Sequence, residues 1–214
     1  MLAGAGNAGG LIGFYKAAEL GPLSVAAPIG ALGAIVPVVW DLFEGAGLTV
    51  TEAAGIVLAL GGASLAARTT PSEELEYRDP RASVLWASAS AVCFGVFLTA
   101  LPHASDDGRA WSLLDARIAL VAIVAVWAGR RLATVRPSAR TLPLLAIPGL
   151  LLVAGTVLYT VAADHGQLSI VSVLGSLFPV FTVALAALLL GERLSRAQSA
   201  GVAAALAGIV LIAL

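Results

Sequence analysis

Eight apolar runs of about 20 residues, most of them joined by polar connections of only a few residues, leave this 214-residue chain little freedom of fold. They fall at residues 3–20, 22–43, 49–67, 81–101, 112–130, 142–163, 168–190 and 195–214. As a helix, a run of that length crosses the roughly 30 Å hydrocarbon core of a bilayer. The runs are too long and too evenly apolar for the alternating strands of a barrel, and lipid offers nothing to an unpaired backbone amide. Each therefore predicts a transmembrane helix. Composition agrees, because 59% of the residues are hydrophobic and 12% charged, against the roughly 25% charged residues of a soluble domain. The expected fold class is an all-α polytopic membrane bundle.

Twelve Lys plus Arg against thirteen Asp plus Glu give no basic excess, so nucleic acid is not an expected partner. A single cysteine, Cys93, excludes an intrachain disulfide and reads as a small buried hydrophobe. No basic segment precedes the first run, so no removable signal peptide is expected.

The chain also repeats itself. Tyr15 matches Tyr159, Leu23-Ser24 matches Leu168-Ser169, and Gly33 to Pro37 matches Gly175 to Pro179. Leu48-Thr49, Gly55 and Gly62 match Leu194-Ser195, Gly201 and Gly208 in turn, and every separation lies between 142 and 146 residues. Shared order at a near-constant offset marks an internal repeat. Residues 1–67 form a partial first copy of three spans, 68–80 a connecting loop, and 81–214 a second copy of five. On that reading a complete first copy holds about 65 further residues and two further spans, ten in all. An odd number of spans per copy places the copies in opposite orientations, the inverted-repeat plan of many secondary transporters. Pro28 and Pro37 in the second span, Pro148 in the sixth and Pro179 in the seventh each free a carbonyl and bend a helix. Pro37 and Pro179 stand at matching positions, which points to a cavity there.

The motif Ser169...Gly175-Ser-Leu-Phe-Pro179...Leu190-Gly191-Glu192-Arg193-Leu194...Gly201...Ala207-Gly208 resembles the last two helices of the EamA domain of the drug/metabolite transporter superfamily. The helix end from Tyr159 to Asp164, and Arg117 near the start of a span, also fit. The first copy departs from the pattern, with Glu44-Gly-Ala-Gly47 where the Glu-Arg pair would fall. The resemblance implies a ten-helix permease or exporter of small organic solutes in the inner or plasma membrane, working without a cofactor.

Charged residues are read by depth, since a charge near the bilayer centre is functional by default. Counted along the spans, Asp41, Glu44, Asp115, Arg117, Asp164 and His165 all fall at interfaces, and no mid-span carboxylate stands out as a coupling group. Lys16 is placed to snorkel or to pair with Glu19 at i+3. Glu192 and Arg193 read as a structural turn, and His103 with Asp106 and Asp107 as a solvated loop rather than a metal site. Candidate cavity residues are Asn7, Tyr15, Lys16, Ser24, Pro37, Arg117, Tyr159, Ser172, Ser176 and Pro179, since polar groups in membrane helices tend to face the bundle interior. Both histidines lie in loops and no His-Glu-x-x-His helix occurs, so no catalytic residue and no metal ligand is assigned. The expected partners are the lipid bilayer, a small-molecule solute and a second copy of the chain. Nine arginines gather on one face against Arg109 on the other, which puts both termini outside by the positive-inside rule, whereas the resemblance implies the reverse.

Overall fold

The computed structural model describes residues 1–21, 23–66, 79–104, 108–134, 142–178, 180–181, 184–185, 188 and 195–212. The helices are α1 (Leu2–Leu20), α2 (Leu23–Ala31), a 3-10 turn (Leu32–Ala34), α3 (Ile35–Phe43), α4 (Val50–Ala66), α5 (Pro80–His103), α6 (Arg109–Thr134), α7 (Leu142–His165), α8 (Leu168–Gly175) and α9 (Arg196–Ile212). The described residues contain no strand. Four helical stretches among them are long and apolar enough to cross a bilayer: Val25–Phe43, Pro80–His103, Ala110–Gly129 and Ala146–His165. The first of these runs through α2, the 3-10 turn and α3. On α6 and α7, Val121, Val126, Leu144, Leu150 and Leu151 face outward, bare. Exposed to water, each such side chain would forgo about 1.5–3 kcal/mol of burial, whereas acyl chains receive it without loss. The molecule is a polytopic helical membrane bundle.

The second span is broken in its middle. Pro37 has no amide to offer the carbonyl of Gly33 and its ring crowds that carbonyl, so the chain tightens into the 3-10 turn. The seventh span breaks at the matching place. α8 stops at Gly175, and the chain continues on i+3 bonds, Leu177 N to Leu174 O at 3.3 Å and Val180 N to Leu177 O at 2.9 Å. Pro179, expected to cause this second break, lies outside the described residues.

α4 and α9 pack antiparallel through glycines. A Cβ on Gly55 would come within 2.8 Å of Gly208 O, and one on Gly208 within 2.7 Å of Gly55 O. Gly62 and Gly201 face each other in the same way, at 2.7 Å in both directions. By the sequence register Gly55 corresponds to Gly201 and Gly62 to Gly208, so each glycine meets the counterpart of the other. α1 and α5 are also antiparallel and closely packed, with Gly6 and Gly13 against Phe97 and Ser90. Two hydroxyls join them, Ser83 Oγ donating to Ala17 O at 2.8 Å and Ser90 Oγ to Gly10 O at 2.7 Å.

The starts of α4 and α9 carry the same device. Thr49 N donates to Glu52 Oε2 at 2.7 Å while Glu52 N donates to Thr49 Oγ1 at 3.2 Å. Ser195 N donates to Gln198 Oε1 at 2.9 Å while Gln198 N donates to Ser195 Oγ at 3.2 Å. Both are reciprocal capping boxes at matched positions. Replacing Thr49 or Ser195 by alanine is expected to cost about 1 kcal/mol each. Antiparallel packing sets the two caps at opposite ends, so the losses should add in a thermal melt of the detergent-solubilised double variant.

Candidate functional site: a cavity between two broken helices

A cavity of about 410 Å³ lies where the two breaks face each other. α1 contributes Asn7, Leu11, Phe14 and Tyr15, and the first break Gly30, Ala31, Gly33 and Ala34. α5 supplies Phe94, Phe97 and Leu98, α7 supplies Leu152 and Thr156, and the second break Gly175, Ser176 and Phe178. The walls are aromatic and aliphatic, with an amide and a few hydroxyls, and no charged side chain among the described residues lines them. A larger hollow of about 690 Å³ on α4 and α9 is lined by apolar side chains and glycines such as Val57, Leu65 and Leu211. It is an open groove without polar groups, suited to acyl chains rather than to a recognised solute.

Three serines lead along one face of α8 and its end. Ser169, Ser172 and Ser176 are spaced i, i+3 and i+7, and all three are buried. Ser176 is in the cavity wall. Ser172 Oγ shares a 2.7 Å hydrogen bond with Tyr159 Oη, which also donates to Leu98 O at 2.8 Å. Tyr159 thus ties α5, α7 and α8 together just below the cavity, its ring 3.5 Å from where a side chain on Gly175 would start. Tyr159→Phe removes both bonds and is expected to destabilise the protein by about 1–2 kcal/mol, measurable as a lowered melting temperature.

At the far end of the serine row, Ser169 N donates to Asp41 Oδ2 at 2.6 Å. Asp41 is 6% exposed. It stands in the last turn of α3, and the start of α8 folds against that end and covers it, so the α3 carboxylate accepts from a first-turn amide of α8, 128 residues away. The same side chain borders a second hollow of about 360 Å³, shared with Glu44, His103, Asp164 and Gln167. His103 donates from Nδ1 to Thr99 O at 2.7 Å, and its Nε2 is 3.7 Å from Glu44 Oε1. A polar vestibule at one membrane face is therefore joined to the apolar cavity through Asp41, the serines and Tyr159.

Arg117 also reaches a neighbouring helix. Its Nη2 donates to Leu152 O at 3.2 Å and to Thr156 Oγ1, and both of those residues belong to the cavity wall.

Of the other sequence candidates, Asn7, Tyr15 and Ser176 line the cavity. Lys16 forms a 2.8 Å ion pair with Glu19 and is absent from the wall. Pro37 is buried at the first break, behind Gly33 and Ala34. The Ser24 side chain, Pro179, Glu192, Arg193, Asp106 and Asp107 lie outside the described residues. Sequence reasoning passed over the phenylalanines. Their signal was faint: bulky rings placed among Ala and Gly on α1 and α5.

A lipid-embedded helical bundle with a cavity held between two interrupted helices is the architecture of a membrane transporter. Residues 81–214 match the EamA-like transporter family, and the chain belongs to that family, which places it among transporters rather than enzymes in the cell membrane. It is similar, at 37% identity over 134 residues, to a protein of Streptantibioticus cattleyicolor named as a probable terminal-alkyne amino-acid exporter. That match covers 61% of this chain and spans 41% of the relative's length. A solved crystal structure shares the fold with a TM-score of 0.75 at 21% identity, covering 100% of this chain and 76% of the other.

Proposed function

We propose that the protein exports small organic solutes of amino-acid type by alternating access, with residues 1–67 and 81–214 acting as inverted copies around the cavity. The observation that carries this reading is the meeting of two interrupted helices, one from each copy, at the wall of a single cavity. Interrupted helices can change direction at low cost in regular hydrogen bonding, so either end of the cavity can open in turn. The amino-acid class comes from the named relative; the aromatic lining accommodates an apolar side chain.

The test is export from cells, or flux from proteoliposomes, with a panel of amino acids bearing apolar side chains. Gly30 offers a way to fill the cavity without disturbing packing, since a Cβ there meets only Phe14, at an ordinary 3.5 Å. Gly30→Leu should reduce flux at least tenfold while the protein remains folded. Unchanged flux through the filled cavity would overturn the reading.

A further inference from the structure

We propose that Arg117, presented through Thr156, is the anchor for the acid group of an amphiphilic organic carboxylate whose apolar body lies among Phe14, Phe94, Phe97 and Phe178. This rests on the cavity reading above and adds the chemical class of the solute.

Arg117 is the eighth residue of the span Ala110–Gly129, and an arginine there could extend toward the headgroups. It reaches the wall of the cavity instead, at Leu152 and Thr156. Thr156 stands at the middle of the 20-residue span Ala146–His165, so the charge is held level with the centre of α7. A cation at that depth is unfavourable unless an anion or water compensates it.

No carboxylate among the described residues pairs with it. Among the described side chains, Lys16 pairs with Glu19 and His103 with Glu44. Arg117 donates to a carbonyl and a hydroxyl, both neutral and both reached by Nη2. A guanidinium carries five N–H donors, so with Nη2 engaged the Nε–H and the Nη1 group remain as single charge-assisted donors for a carboxylate oxygen. The cavity beside it has an apolar wall with no charged lining residue, and there a formally charged solute would be poorly solvated except at this one edge. Together the wall and the cation define a solute with an apolar body and an acid group, and they disfavour one whose only charge is positive.

The experiment compares two probes of equal size, 4-phenylbutyrate and 4-phenylbutyramide, binding to the reconstituted full chain at neutral pH. The carboxylate should bind at least tenfold more tightly than the amide. Arg117→Gln should remove that preference by weakening the carboxylate alone, and Arg117→Lys should retain part of it. Equal binding of the two probes to the unmodified protein overturns the anchor, as does an Arg117→Gln variant that weakens both equally, because the arginine is then only a clamp between α6 and α7. Gly30→Leu separates the two levels of the argument. If it weakens both probes, the cavity reading stands whatever Arg117 does. Should neither probe bind the folded protein, or should both ignore Gly30→Leu, the cavity reading fails and the anchor with it.

Discussion

Gly62→Leu is expected to leave little folded protein, whereas Gly61→Leu, one residue earlier on the same helix, should be nearly silent. A Cβ at Gly62 would lie 2.4 Å from Ala205 N and 2.7 Å from Gly201 O, whereas one at Gly61 would meet nothing within 4 Å. The obstructing atoms at Gly62 are backbone, so no rotamer change relieves them and α4 must part from α9. Overpacking that side chains can absorb costs about 1–3 kcal/mol. Displacing a helix axis forfeits packing along the seam as well, so the loss should exceed about 3 kcal/mol. At Gly61 the effect should stay within about 0.5 kcal/mol. Gly201→Leu should reproduce the Gly62 result, since its Cβ would meet Ala66 N at 2.4 Å and Gly62 O at 2.7 Å. Size-exclusion profiles and thermal melts in detergent read all three. Equal behaviour of Gly62→Leu and Gly61→Leu would show that the two helices do not pair as described.

That seam was half legible in advance. Register identified Gly55, Gly62, Gly201 and Gly208 as matched anchors of the expected repeat. Which helix each glycine meets is a matter of folding, and the offset alone could not supply it. The breaks were legible for a stronger reason: a proline inside a span has a fixed chemical consequence one turn back, and Pro37 produces it at Leu32–Ala34. The ion pair of Lys16 with Glu19 was likewise readable, being local and three residues apart. The partners of Asp41 and Arg117 were not legible because distance from a span's end measures depth along one helix only. It says nothing of a neighbouring helix that starts against the same end, as α8 does at Asp41, or of a neighbour whose middle lies opposite, as α7 does at Arg117. The phenylalanines on α1, α5 and the second break escaped notice because a ring in a membrane helix faces lipid as readily as a cavity, and only tertiary packing decides between them.

Asp41→Ala should give the largest loss of transport among single polar substitutions, together with a measurable loss of stability. The carboxylate is buried, and it joins α3 to the N-terminus of α8 through Ser169 N at 2.6 Å. Removing it leaves a helix-initiating amide without its acceptor in a covered site, at about 1–3 kcal/mol, and removes a negative charge from the positive end of the helix. For a chain of this size that corresponds to a fall of roughly 2–4 °C in melting temperature per kcal/mol. The effect on transport should be larger, because this contact couples the two interrupted helices at the cavity end that borders the vestibule of Glu44, His103, Asp164 and Gln167. If α3 and α8 must separate and rejoin in each cycle, a protein without the latch loses the closed arrangement at that end and leaks or stalls. Asp41→Asn keeps an oxygen that can accept from Ser169 N, so it should recover most of the lost stability while forfeiting the charge-assisted part of the bond. Flux and melting temperature measured on both variants separate cap from charge. Full transport by Asp41→Ala at normal protein levels would show that the contact between α3 and α8 has no part in opening and closing the cavity.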